Sequence, residues 1–226
     1  MRVVVGALVL TGRRGQADLL TATLLVGVAL VIGATMVAYF TAATSTYREE
    51  ISVANLLAYE ASNTFINVVS YDSRSLNLWL ALKRLDGGSS NFFIAVDNST
   101  SYLPCTQISY YNPRYDEDGV LCNSTDECPT SAAVYVGSLS KVYVLWEGAL
   151  VDFLSYARAS GYPTGEPVYV CSVVNVCQLE DSTGLCGRVT LVRIALPKAT
   201  PTVRVYLVTL ISGSPYVFGV YEVLLQ

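Results

Sequence analysis

Residues 19–47 read LLTATLLVGVALVIGATMVAYFTAATSTY, an unbroken run with no charged side chain. Wound as a helix at 1.5 Å per residue, it would extend roughly 43 Å, more than the hydrocarbon core of a bilayer. Small residues (Gly27, Ala29, Gly33, Ala34, Ala38, Ala42, Ala43) alternate with Leu, Val, Ile, Met and Phe, and small side chains let helices approach closely where no water drives them together. Arg13 and Arg14 stand immediately before the run, so the positive-inside rule places that end in the cytoplasm and the rest of the chain outside. An ordinary secretory signal fits less well, because this run outlasts a typical apolar signal core and only Ala42-Ala43 offers small residues for a cut behind it.

The remainder of the chain supports an exterior location. Of 226 residues, 52% are hydrophobic and 14% charged, with a formal net charge of −4; the mean hydropathy is +0.44. Without a basic tract, the chain has no footprint for nucleic acid. Histidine is absent, which removes the commonest general base and transition-metal ligand. Cys105, Cys122, Cys128, Cys171, Cys177 and Cys186 all lie beyond the apolar run. None shows C-x-x-C spacing, so disulfides in an oxidising compartment are the expectation. The pairing stays open, with Cys122–Cys128 and Cys171–Cys177 as natural short loops. Two glycosylation acceptor triplets start at Asn98 and Asn123 in polar, turn-rich stretches.

The segment Arg13-Arg14-Gly15-Gln16-Ala17-Asp18, followed by the apolar run, resembles the class III signal peptide of type IV pilins, and most of all that of archaeal pilins and archaellins. The resemblance covers residues 1–45. It implies that a membrane prepilin peptidase cuts between Gly15 and Gln16, removing a leader over 1–15 and leaving the helix on the mature protein. The leader is unusually apolar (Val3 to Leu10), and the fifth mature position, glutamate in bacterial pilins, is Leu20. The archaeal branch often lacks that glutamate. The resemblance further implies a structural subunit of an extracellular type IV pilus-like filament for adhesion or surface attachment. Its partners would be identical subunits, the membrane before assembly, and the prepilin peptidase and pilus assembly machinery. A membrane-anchored minor pilin or stator-like binding module with an outward β-domain shares the same signal.

The expected fold class is α+β, with a long N-terminal helix over 16–70 followed by a β-rich, sandwich-like head over 71–226 containing one further helix. Tyr47, Ile51, Ala54, Ala58, Ala61, Phe65 and Val68 form a narrow seam of alternating three- and four-residue spacing, with Glu50 and Glu60 off it. The seam could pack on the protein's own head or on a neighbour. A short helix is expected near 76–85, stopped by Gly87-Gly88, and a longer one from Val142 to Ala157, with a strand over 141–146 as the alternative. Strands are expected at 92–96, 132–136, 168–174, 189–196, 202–211 and 216–225, the last two joined around Gly213-Ser214-Pro215. Residues 202–211 are apolar on both faces, which predicts a strand covered on both sides.

No catalytic residue, cofactor or metal is expected. The acidic groups Asp116-Glu117-Asp118 and Asp126-Glu127 lack EF-hand spacing and read as a solvated loop. There is no G-x-S-x-G, P-loop or dinucleotide-binding pattern.

Overall fold

The computed structural model describes residues 12–112, 128–179 and 187–225. The chain divides into two compact units, Met1–Glu49 and Glu50–Gln226. The fold is α+β, with one long apolar helix followed by a two-sheet β domain that carries a short second helix.

Helix α1 runs from Gly12 to Asn63. The carbonyl of Asn63, one of the acceptors that a helix terminus leaves open, accepts from Leu85 N at 2.8 Å. The helix therefore stops earlier than the 70 expected from sequence. Residues 64–70 instead begin strand β1 (Thr64–Asp72), because the β-branched and aromatic set Thr64, Phe65, Ile66, Val68 and Val69 pairs with strand β2 (Asn77–Arg84).

β2 also replaces the short helix expected at 76–85. Leucine favours helices, but Leu78, Leu80 and Leu82 recur with period two and point together into the core. Asp72 closes the intervening turn by accepting from Arg74 N and Ser75 Oγ.

The remaining strands are β3 (Phe92–Asp97), β4 (Ile108–Asn112), β5 (Cys128–Ser131), β6 (Ala133–Val136), β7 (Tyr143–Trp146), β8 (Ala149–Asp152), β9 (Val170–Val173), β10 (Thr190–Ala195), β11 (Thr202–Ile211) and β12 (Ser214–Leu224). The first sheet has the order β1-β2-β10-β4-β5, and the second the order β6-β9-β3-β11-β12-β7-β8. Among the described pairings only β12 with β7 is parallel.

The two sheets pack face to face. Leu78, Leu80, Leu82, Ile108, Val192 and Ile194 from the first meet Ile94, Val96, Val203, Val205 and Leu207 from the second. The outer face of the second sheet has a separate core, where Tyr206, Val208 and Val217 lie with Leu139, Val142 and Phe153. β11 is thus covered on both faces, as its composition predicts.

The helix expected over 142–157 is a hairpin followed by a helix. Glu147 and Gly148, both at positive φ (51° and 82°), turn β7 into β8. A two-residue hairpin turn of this hand favours glycine at its second position, and here it overrides the helical spacing. Helix α2 then spans Phe153–Ser160, capped by Asp152, whose Oδ1 accepts from Ser155 N at 2.9 Å, and closed by left-handed Gly161.

Cys105 and Cys171 form a disulfide with a Cα–Cα distance of 5.4 Å. Cys105 leads into β4 of the first sheet and Cys171 lies on β9 of the second, so the bond links the two layers. Cys177 is disulfide-bonded as well, but not to Cys171, which corrects the short local pair. In the core, a bond between strands distant in sequence displaces a bond within one loop. Cys122 and Cys186 lie outside the described residues.

Candidate membrane and assembly surface

No residue from Thr21 to Arg48 is buried. Leu30 is 69% exposed, and Leu24, Leu25, Val31, Val37 and Phe40 are exposed to a similar degree. From Thr21 the helix is long and apolar enough to cross a membrane. Its hydroxyls are turned inward on the helix itself. Thr35 Oγ1 donates to the Ile32 carbonyl and Thr41 Oγ1 to that of Val37, each at 2.8 Å. Thr44 donates to Phe40, and both Ser45 and Thr46 donate to Ala42. Back-bonding of this kind hides a polar group from an apolar surrounding. Gly27 and Gly33 meet no side chain or backbone where a Cβ would stand. Glycine weakens a helix by about 1 kcal/mol relative to alanine, and among the described residues no packing calls for it at either position.

In the second unit the helix continues, and its buried face differs from the expected seam. Val53 and Leu57 are buried and Glu50 and Glu60 half-buried, whereas Ile51 is 59% exposed and Ala58 and Ala61 are exposed. The buried line 50, 53, 57, 60 sits one residue before 51, 54, 58, 61, a rotation of about 100°. Arg84 supplies the cause. Its guanidinium, 8% exposed, pairs with Glu60 and, at 2.6 Å, with Asp86. Tyr59 Oη also reaches Asp86, at 3.3 Å. The pair holds Glu60 on the inward face beside the apolar Val53 and Leu57, and Ile51, Ala58 and Ala61 turn away. The hydrogen bond from Arg84 holds the Asp86 carboxyl down at about 2, while burial opposes it. The same partner, Asp86, raises the Arg84 pKa.

A second polar cluster lies in the head. Asp97, at the end of β3, is fully buried; it accepts from Tyr206 Oη at 2.6 Å and Arg204 Nη1 at 3.0 Å. Ser99 N donates to the same carboxylate at 2.7 Å. The Arg204 guanidinium also lies over the Tyr162 ring, 4.5 Å from its centroid. Burial, then the Asp97 charge, pushes the Tyr206 and Tyr102 hydroxyls up. Nothing in the separate segments 92–97 and 202–211 announces this cluster. It exists because the register sets Arg204 opposite Asp97.

The other residues singled out in the sequence fall as follows. The Gly15–Gln16 bond lies within the first turns of α1. Asn98 is 2% exposed, and its Oδ1 accepts from Thr100 N and Ser101 N. Through that oxygen it organises the turn that follows β3. Asn123 and the acidic groups at 116–118 and 126–127 lie outside the described residues. Among the described residues, no three His, Cys, Asp or Glu side chains converge as a metal site. Comparison with protein-family models, with curated proteins and with solved structures found no match.

Proposed function

We propose that this chain is the structural subunit of an extracellular, type IV pilus-like filament. In this reading α1 anchors the subunit in the membrane before assembly and lies in the filament core afterwards. The β-rich head faces outward for adhesion or surface attachment. The observation that carries the reading is the helix from Thr21 to Tyr47, whose apolar side chains find no cover among the described residues. Such a surface needs lipid or other helices, and a retained helix of this kind is stable in either. The glycines at 27 and 33 support it, since close approach of another helix gives them a use. Heterologous contacts between identical subunits then propagate as a helical array rather than close.

N-terminal sequencing of the protein recovered from cell surfaces tests the processing step, and the expected first residue is Gln16. A retained Met1, or a cut behind Ala43, would overturn it. Electron microscopy of shed surface material tests polymerisation, with filaments built mainly of this chain as the expected result. Processed protein found only in membranes, as single copies, would favour the anchored binding module.

A further inference from the structure

Among the described residues the two sheets end in four edge strands, β1 and β5 on the first and β6 and β8 on the second, and these are not alike. β5 is four residues long and carries Pro129. β6 is also four residues long and has a register shift against β9. β8, again of four residues, runs straight into α2. Short strands, proline and irregular register keep an edge from pairing with another chain. β1 has nine residues, with no proline, no glycine and no charge before Asp72. Its bulge lies at Val69, so Thr64 to Val68 run straight.

The phase of the ladder shows what this edge offers. Leu85 N donates to the Asn63 carbonyl, and β1 keeps that register against β2 up to Val68. Antiparallel bonding alternates, so Phe65 and Asn67 bond across to β2 while Ile66 and Val68 turn their N–H and C=O outward. Among the described residues these outward groups meet no backbone partner. Ile66 and Val68 pack their side chains on the core, which leaves Phe65, Asn67 and Val69 exposed on the outer face. With a formal net charge of −4, two copies of this chain repel over much of their surface, and the uncharged edge is a place where they meet without that penalty. The strand is also its own complement. About a two-fold axis at Asn67, Ile66 of each copy lies opposite Val68 of the other, and every outward N–H and C=O of the two residues is used. Phe65 then stands beside Val69 of the second copy, twice, and no like charges face each other. The described pairings of the first sheet are all antiparallel, so the join continues its pattern.

We propose that β1 is a self-recognition edge, along which the heads of two copies pair antiparallel and join their first sheets into one. The pairing needs no filament, so its failure would leave the filament reading standing. The test places the full chain in lipid nanodiscs, a single chain per disc, which keeps α1 away from other copies. Sedimentation velocity over a rising concentration series should show reversible pairs of discs, and hydrogen exchange over residues 64–69 should slow as they form. Asn67→Lys sets two like charges face to face at an exposed position and should weaken pairing by about tenfold or more. Asn67→Glu should do the same, and an equimolar mixture of the two variants should restore pairing. If the lysine variant fails to fold, the glutamate variant decides alone. Discs that stay single throughout, pairs that neither variant weakens, or folded variants that do not recover on mixing would each overturn the proposal. Slow exchange over 64–69 in discs that stay single would put another part of the same chain on the edge, and would overturn it as well.

Discussion

Leu30 and Leu80 are the same side chain in opposite circumstances. Leu30, on the exposed part of α1, is 69% exposed, and Leu80, on β2 between the two sheets, is fully buried. The head closes its own apolar surface in two cores and links its layers through Cys105–Cys171. The helix from Thr21 to Tyr47 closes its hydrogen bonds but not its apolar surface. Stability of the head is therefore a property of one chain, and burial of the helix a property of its surroundings.

This contrast can be broken experimentally. The largest effect expected is on the disulfide. Replacing Cys105 and Cys171 together by alanine opens a 66-residue separation, which by loop entropy costs about 4 kcal/mol of head stability. Urea unfolding in detergent, read by Trp fluorescence, measures it; an unchanged midpoint would mean that the layers hold without the bond. Next, Leu80→Ala should cost the head about 3 kcal/mol, whereas Leu30→Ala should change it by less than about 0.5 kcal/mol. Comparable losses would show that the two surfaces are not independent. Arg84→Met should cost about 2 kcal/mol by leaving Glu60 and Asp86 without their partner. Adding Glu60→Gln should restore part of that loss, a recovery visible in a double-mutant cycle.

The smallest effect sharpens the same cluster through pH. The folded Asp86 carboxyl sits at about 2, below its ordinary 3.8. A depressed acid stabilises the fold fully above its unfolded pKa and loses that contribution as pH falls toward the folded one. Head stability should therefore lose the Asp86 contribution between about pH 4 and pH 2, and Asp86→Asn should flatten that part of the profile. A variant with the wild-type acid profile would show that the Arg84 pair does not set the carboxyl's titration.

The sequence made some of this legible and concealed the rest for physical reasons. The apolar run 19–47 declared its length and its lack of charge, and β11 declared its double burial through valines and leucines on both faces. Leu78-Trp79-Leu80-Ala81-Leu82 could be read by propensity or by period, and pairing on both sides decided for period. The spacing over 142–157 is helical, but the Glu147-Gly148 turn divides it into three elements. The seam expected over 51–61 is one residue out of phase with the buried face of α1, because the partner that holds Glu60, Arg84, lies on β2, well separated in sequence. The Asp97–Arg204–Tyr206 cluster depends on a register between distant segments, which no local pattern encodes.

The hydroxyls of Thr35, Thr41, Thr44, Ser45 and Thr46 have one further consequence. Each is already bonded to a carbonyl of its own helix. In the proposed assembly, moving this segment from lipid to a protein interior exchanges no hydrogen bond at those positions. The choice between the two surroundings is left to packing alone, so modest differences in fit are enough to decide it in either direction.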